Sequence, residues 1–135
     1  MAVDGRSRGS AVVEFALVTP LAVVVALAVA QLALFLYERN MVMGSLSEGA
    51  RIAAVEGRTV ADGERTAGKL LRQSLGVRVS DAVSVHGAVE GGLVIMRADG
   101  VLPSLLPVVP GLEVSMAASM HKEELLRPGA TGLVR

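Results

Sequence analysis

From Phe15 to Tyr37 the chain carries no charged residue and is built mostly from valine, leucine and alanine. That run exceeds the roughly 20 residues an α-helix needs to cross a hydrocarbon core of about 30 Å. In lipid such a segment must be helical, because every backbone N–H and C=O needs a partner within the segment. A chain of 135 residues that commits this much length to one span has room for a single small domain besides. Arg6 and Arg8 precede the run with Asp4 the one acid in residues 1–9, whereas Glu38 and Arg39 cancel beyond it. The positive-inside bias therefore predicts a single-pass protein of the cell membrane, N-terminus cytoplasmic and C-terminal domain extracytoplasmic. A cleaved secretory signal has an apolar core of about 7 to 15 residues followed by a small-residue site, so this longer, valine-rich run predicts a retained span.

Composition narrows what the domain is. The formal net charge is zero, which argues against nucleic acid as a partner, since phosphate demands a basic face. There is no cysteine, which removes disulfides, thiolate metal sites and cysteine nucleophiles together. All three aromatic residues, Phe15, Phe35 and Tyr37, lie in the apolar run. The domain core must come from Val, Leu, Ile, Met and Ala, which bury less area per residue than aromatics and predict modest stability.

Beyond the span, Met43, Leu46, Ala50, Ala53 and Gly57 recur at helical spacing, so the helix continues or restarts to about Val55 before Gly57 stops it. Glu48 and Arg51 fall on the side facing water. Thr59 followed by Asp62 has the form of a capping box for a second helix with Val60, Ala67, Leu71 and Leu75 as its stripe and Gly76 as its end. Period two then takes over in Val77 and Val79, then Val83, Val85 and Ala88 or Val89, a break at Glu90-Gly91-Gly92, and a run from Leu93 to Ala98. This predicts a β-hairpin. Val101 to Gly111 is apolar but holds Pro103, Pro107 and Pro110 and is too short to span, which predicts a loop or a broken helical turn. Leu112 to His121 alternates apolar residues with Glu113, Ser115 and Ser119, a third strand, and Lys122 to Arg135 predicts a flexible tail. The fold class is α+β: a membrane helix extending into a long helix, a short second helix, and a small antiparallel sheet of about three strands.

Gly9 followed by Ser10-Ala11-Val12-Val13-Glu14-Phe15 at the mouth of the apolar run resembles the processing site of class III signal peptides in type IV pilin-like proteins. More closely, Arg8-Gly9-Ser10-Ala11-Val12-Val13-Glu14-Phe15-Ala16-Leu17-Val18-Thr19-Pro20-Leu21 is similar to the TadE-like minor pilins of tight-adherence (Flp) pilus systems. Glu48-Gly49-Ala50-Arg51-Ile52-Ala53-Ala54 resembles the helix that follows the membrane in that family. The resemblance is specific over about residues 8–57 and architectural beyond, and it fits TadE-like and sister minor pilins (pseudopilins) alike.

The resemblance implies a cytoplasmic leader, residues 1–9, cut after Gly9 by a prepilin peptidase, a membrane aspartic peptidase, to leave Ser10 as the new terminus. A peptide bond beside glycine extends into a narrow cleft with no side chain in the way. It implies a membrane helix over residues 10–37, an extracytoplasmic pilin-like domain over 38–121, and a tail over 122–135. Glu14, the fifth residue counted from Ser10, and Phe15 are implied assembly residues, with Glu14 pairing the Ser10 amine of the next subunit. An unpaired carboxylate at mid-bilayer costs about 2.5 to 3.5 kcal/mol and less near the edge, so Glu14 needs either that partner or headgroup solvation. The implied partners are the prepilin peptidase, other pilin and minor pilin subunits, the inner-membrane assembly platform and membrane lipid, with no cofactor. The implied role is pilus assembly and adhesion, with the protein in the membrane or carried into the extracellular pilus.

Other residues of the span read both ways. Pro20 removes one backbone bond; it stands where the family's proline stands, and it is also a kink that membrane helices tolerate. Ala22, Ala26 and Ala30 form a small-xxx-small stripe that lets helices approach closely, in a chain where alanine is abundant. Gln31, the amide of the span, is a contact candidate worth about 0.6 kcal/mol. Catalysis finds no support: His86 and His121 lie in no metal-ligand spacing, no G-x-S-x-G, P-loop or dinucleotide fingerprint occurs, and Gly91-Gly92 reads as a hairpin turn. The chain is therefore read as a non-enzyme. The competing expectation is an uncut single-pass anchor whose outer domain binds an envelope protein through Val101–Gly111.

Overall fold

The computed structural model describes residues 5–104 and 109–122, with residues 5–11 described by backbone alone. The elements in order are α1 (Gly5–Ala54), α2 (Val60–Ser80), β1 (Val83–Glu90), β2 (Leu93–Leu102) and β3 (Leu112–His121). The class is α+β as expected, and the chain divides into two compact units, Met1–Leu36 and Tyr37–Arg135. In the first, α1 leaves every residue from Val12 to Ala30 exposed, an apolar helix with no protein packed on it among the described residues.

The second unit is built on the C-terminal part of α1. Val42, Leu46, Ala50 and Ala53 are buried at spacings of three and four, one face of a helix of 3.6 residues per turn. Of the stripe read from sequence, Leu46, Ala50 and Ala53 are buried, Met43 is half-buried, and Gly57 is exposed at φ +75°, beyond the helix end. Glu48 and Arg51 form an ion pair of 2.6 Å on the outer side.

α2 lies against α1 backbone to backbone. A Cβ on Gly49 would stand 2.8 Å from the Gly63 carbonyl oxygen and 2.9 Å from Ala67 Cβ, and one on Gly63 would stand 2.8 Å from Ala53 Cβ. Gly49 with Ala53 and Gly63 with Ala67 are each four apart, so each helix presents a glycine-alanine ridge to the other. As α1 ascends from 49 to 53 its contacts on α2 descend from 67 to 63, which makes the pair antiparallel. The capping box expected at Thr59 starts α2: the Thr59 N–H donates to Asp62 Oδ2 at 3.0 Å, and the Asp62 N–H donates to the Thr59 hydroxyl at 3.2 Å.

The stripe Val60, Ala67, Leu71 and Leu75 faces inward, with Ala67 and Leu71 fully buried. The helix breaks at Gly76 (φ 77°), as its glycine predicted, but Val77 and Val79 do not begin a strand: Val77–Ser80 makes one further helical turn. Asp81 and Ala82 donate their N–H groups to the Val77 and Val79 carbonyls at 2.9 and 3.1 Å, so the turn satisfies its own backbone. It also buries Val79 while Val77 stays 57 % exposed. Alternation over two valines does not separate a strand from a turn.

The sheet has order β1-β2-β3, antiparallel throughout. Glu90 pairs with Leu93 around Gly91 and Gly92, whose φ values of 57° and 81° are those a two-residue hairpin turn requires. β2 runs on past Ala98 to Leu102, so Val101 and Leu102 belong to the sheet rather than to the proline loop: they pair with Glu113 and Leu112. The middle of that loop and the tail from residue 123 lie outside the described residues. Val83, Val94, Met96, Ala98, Leu102 and Met116 form the buried face of the sheet. Removing a Val, Leu or Met side chain from water contributes about 1.5 to 3 kcal/mol, so this aliphatic set carries the domain.

The helix contact generates a prediction. Gly63→Val should destabilise the full chain in detergent micelles by about 1 to 3 kcal/mol, read as a lower unfolding temperature by circular dichroism. Gly68→Ala, where a Cβ meets nothing within 4 Å, should leave it unchanged or slightly raised; equal losses at both sites would contradict the contact. A second prediction concerns acid. The hydrogen bonds from the Thr59 N–H and hydroxyl hold the Asp62 carboxyl below its ordinary value. A depressed folded value contributes stability above the unfolded value of about 3.9 and loses it as pH falls through the folded one. Asp62→Asn should therefore be less stable than the native chain at neutral pH, the gap narrowing as pH falls below the unfolded value of about 3.9; a gap constant with pH would refute the cap's role.

Candidate functional site

The residues singled out from sequence lie along the first part of α1, and helix geometry sets their relations. Gly9 and Ser10 are within the helix that starts at Gly5, so the bond implied as the cut site is helical here. A peptidase cleft binds extended backbone, so cutting there requires local unwinding of the first turns, and the glycine at position 9 lowers helix propensity by about 1 kcal/mol relative to alanine. Ser10 and Glu14 are four apart and share one helix face, about 6 Å along the axis. Glu14 is exposed and Phe15 is 72 % exposed, so both are open to a neighbouring helix.

Pro20 stands inside α1 without ending it. It has no N–H to donate to the carbonyl four residues back, that of Ala16. One turn away, the Thr19 hydroxyl donates to the Phe15 carbonyl at 2.7 Å, a side-chain bond of the kind that accompanies bends in membrane helices. Ala22, Ala26 and Ala30 are exposed along the helix, and Gln31 is half-buried. The structure thus places the predicted residues on one continuous helix, with Glu14 and Phe15 in its first part and the small-residue stripe about two to four turns further on.

Sequence reasoning missed two polar features of the second unit. Glu38, read only as balancing Arg39, is 5 % exposed; burial pushes its carboxyl above the ordinary value, and the positive charge of Arg78 on α2 opposes that by less. Burying a carboxylate costs free energy that an opposite charge offsets. Glu64 on α2 reaches β1, where its Oε1 accepts the Gly87 N–H at 2.7 Å. The signal for the first was position alone, an acid directly after an apolar run; a single glycine within a strand pattern marks close backbone approach and could have pointed to the second.

Two of the clefts are formed by described residues. One is lined by Asp99, Val101, Glu113 and Ser115 with their backbone neighbours, the other by Arg51, Ala54, Val55, Met120 and His121. Arg51 is held by Glu48. His86 and His121 are exposed on the two outer strands, and no group of three metal-ligating side chains occurs among the described residues.

α1 holds a stretch long and apolar enough to cross a membrane. No curated protein and no solved structure matches the chain. A family model does, that of TadE-like proteins, to which the chain is similar over residues 9–51, from Gly9 through the apolar helix to Arg51.

Proposed function

We propose that this protein is a minor pilin-like subunit of a tight-adherence pilus. The TadE-like domain supports a pilus-associated component, and the observation that carries the finer reading is where the match begins. It opens at Gly9, leaving residues 1–8 outside, and that boundary coincides with the glycine of the leader motif. In this reading a prepilin peptidase cuts after Gly9 on the cytoplasmic face and sheds Arg6 and Arg8. The span stays in the lipid, and the domain from Glu38 onward stands outside the cytoplasm.

After the cut, Glu14 lies near the start of the shortened helix, where the dipole favours an anion. Its exposed carboxylate meets the Ser10 amine of a neighbouring subunit, and Phe15 packs beside that pair. The work of the protein is structural: packing with other pilin and minor pilin subunits at the inner-membrane platform, toward assembly of an adhesive filament. It has no catalytic step of its own.

Two substitutions separate processing from assembly. Gly9→Phe should leave the longer precursor in the membrane, seen as slower migration on a denaturing gel; mature length in that variant would sink the cleavage reading. Glu14→Ala should be cut normally but yield severalfold fewer pili. Normal pilus numbers in that variant would show that the carboxylate is dispensable.

A further inference from the structure

The sheet has two edge strands that run in the same direction, since β1 and β3 are each antiparallel to β2. They are also level. Val83 pairs with Gly100 and Gly100 with Val114, while Glu90 pairs with Leu93 and Leu93 with His121. Residues 83–90 of β1 therefore stand at the heights of residues 114–121 of β3. The Lys122 N–H bonds the Gly92 carbonyl and the Val101 N–H bonds the Ala82 carbonyl, which fixes the parity of both strands. Odd-numbered residues on β1 and β3 aim their N–H and C=O groups away from β2. Among the described residues no backbone group meets the outer edge of β3, and β1 is guarded at one point, where Glu64 takes the Gly87 N–H.

We propose that copies of this chain associate side by side, β3 of one copy adding to the β1 edge of the next as a parallel strand. The occupant is a second copy standing the same way up. The β1 and β3 edges run in the same direction, so pairing them repeats the domain in one orientation, as copies anchored in one membrane require. Parity agrees, since Gly87 would donate to the Ala117 carbonyl and accept from the Ser119 N–H, all three on outward edges.

The faces agree as well at zero stagger. On the core side Val83 meets Val114, Val85 meets Met116, Gly87 meets Ala118 and Val89 meets Met120. On the other side Ser84 meets Ser115, His86 meets Ala117, Ala88 meets Ser119 and Glu90 meets His121, with no like charges opposed. Val89 and Met120 are 46 % and 39 % exposed at one height on opposite edges, and each would cover the other. The Glu64 carboxylate is a latch that yields the Gly87 N–H when a neighbour's strand arrives. Because the two edges differ, the contact is heterologous and propagates rather than closing at a pair. It requires only that copies share a membrane face, so it holds whether or not the leader is removed.

The chain has no cysteine, so a pair of introduced ones reports directly. Within one copy, positions 88 and 119 are two strand spacings apart, about 10 Å, beyond the roughly 7 Å limit for a disulfide. Full-length Ala88→Cys/Ser119→Cys, oxidised in its own membrane, should give a ladder of dimers, trimers and higher species, and neither single variant should cross-link. Adding Ala117→Pro removes only an N–H that its own sheet leaves unused and should abolish the ladder at unchanged unfolding temperature. Met120→Glu should abolish it too and serves if the proline variant is unstable. No ladder from the double variant, dimers from Ala117→Cys alone, or a ladder that survives both disrupting changes would each overturn the proposal.

Discussion

The domain depends on two helix backbones touching. At Gly49 and Gly63 no side chain separates α1 from α2, and a Cβ on either would fall within 3 Å of the other helix. Close approach of this kind maximises dispersion contact along the ridge and tolerates no added atom. Its consequence reaches past the helices. With α2 fixed against α1, Val60 and Glu64 come down on β1 at Gly87, the strand residue where a side chain would collide with Val60 and Met96. Three of the close-packed glycines, 49, 63 and 87, thus fix α2 against α1 and against β1 in a core that has no aromatic residue to fill gaps.

Much of this was legible in the sequence, for identifiable reasons. The apolar run, the capping box at Thr59, the break at Gly76, the Gly91-Gly92 turn and the bounds of β3 are encoded locally, by charge, by one side chain capping one N–H, or by glycine's access to positive φ. What the sequence hid is non-local. Val77 and Val79 alternate like a strand, yet Asp81 and Ala82 close a helical turn with them that buries Val79 and leaves Val77 exposed. Val101 and Leu102 look like the start of a proline loop, yet partners on β3 hold them in the sheet. The burial of Glu38 depends on the position of α2, which no local pattern announces.

The candidate site shows the same division. Gly9, Glu14, Phe15 and Pro20 were identified by motif, and the structure adds their geometry: one helix, with Ser10 and Glu14 on a common face and the Phe15 carbonyl taken by Thr19. The run from Phe15 to Tyr37 carries no charged side chain, and the first charges beyond it divide, Arg39 to solvent and Glu38 to the interior.

The central claim is that the leader ends at Gly9, and intact mass with N-terminal sequencing of the native protein extracted from its own membrane tests it most directly. The account predicts a mature chain beginning at Ser10, lighter by residues 1–9. A chain beginning at Met1 or Ala2 would contradict it, leaving Glu14 a carboxylate at the membrane surface and the protein an uncut anchor.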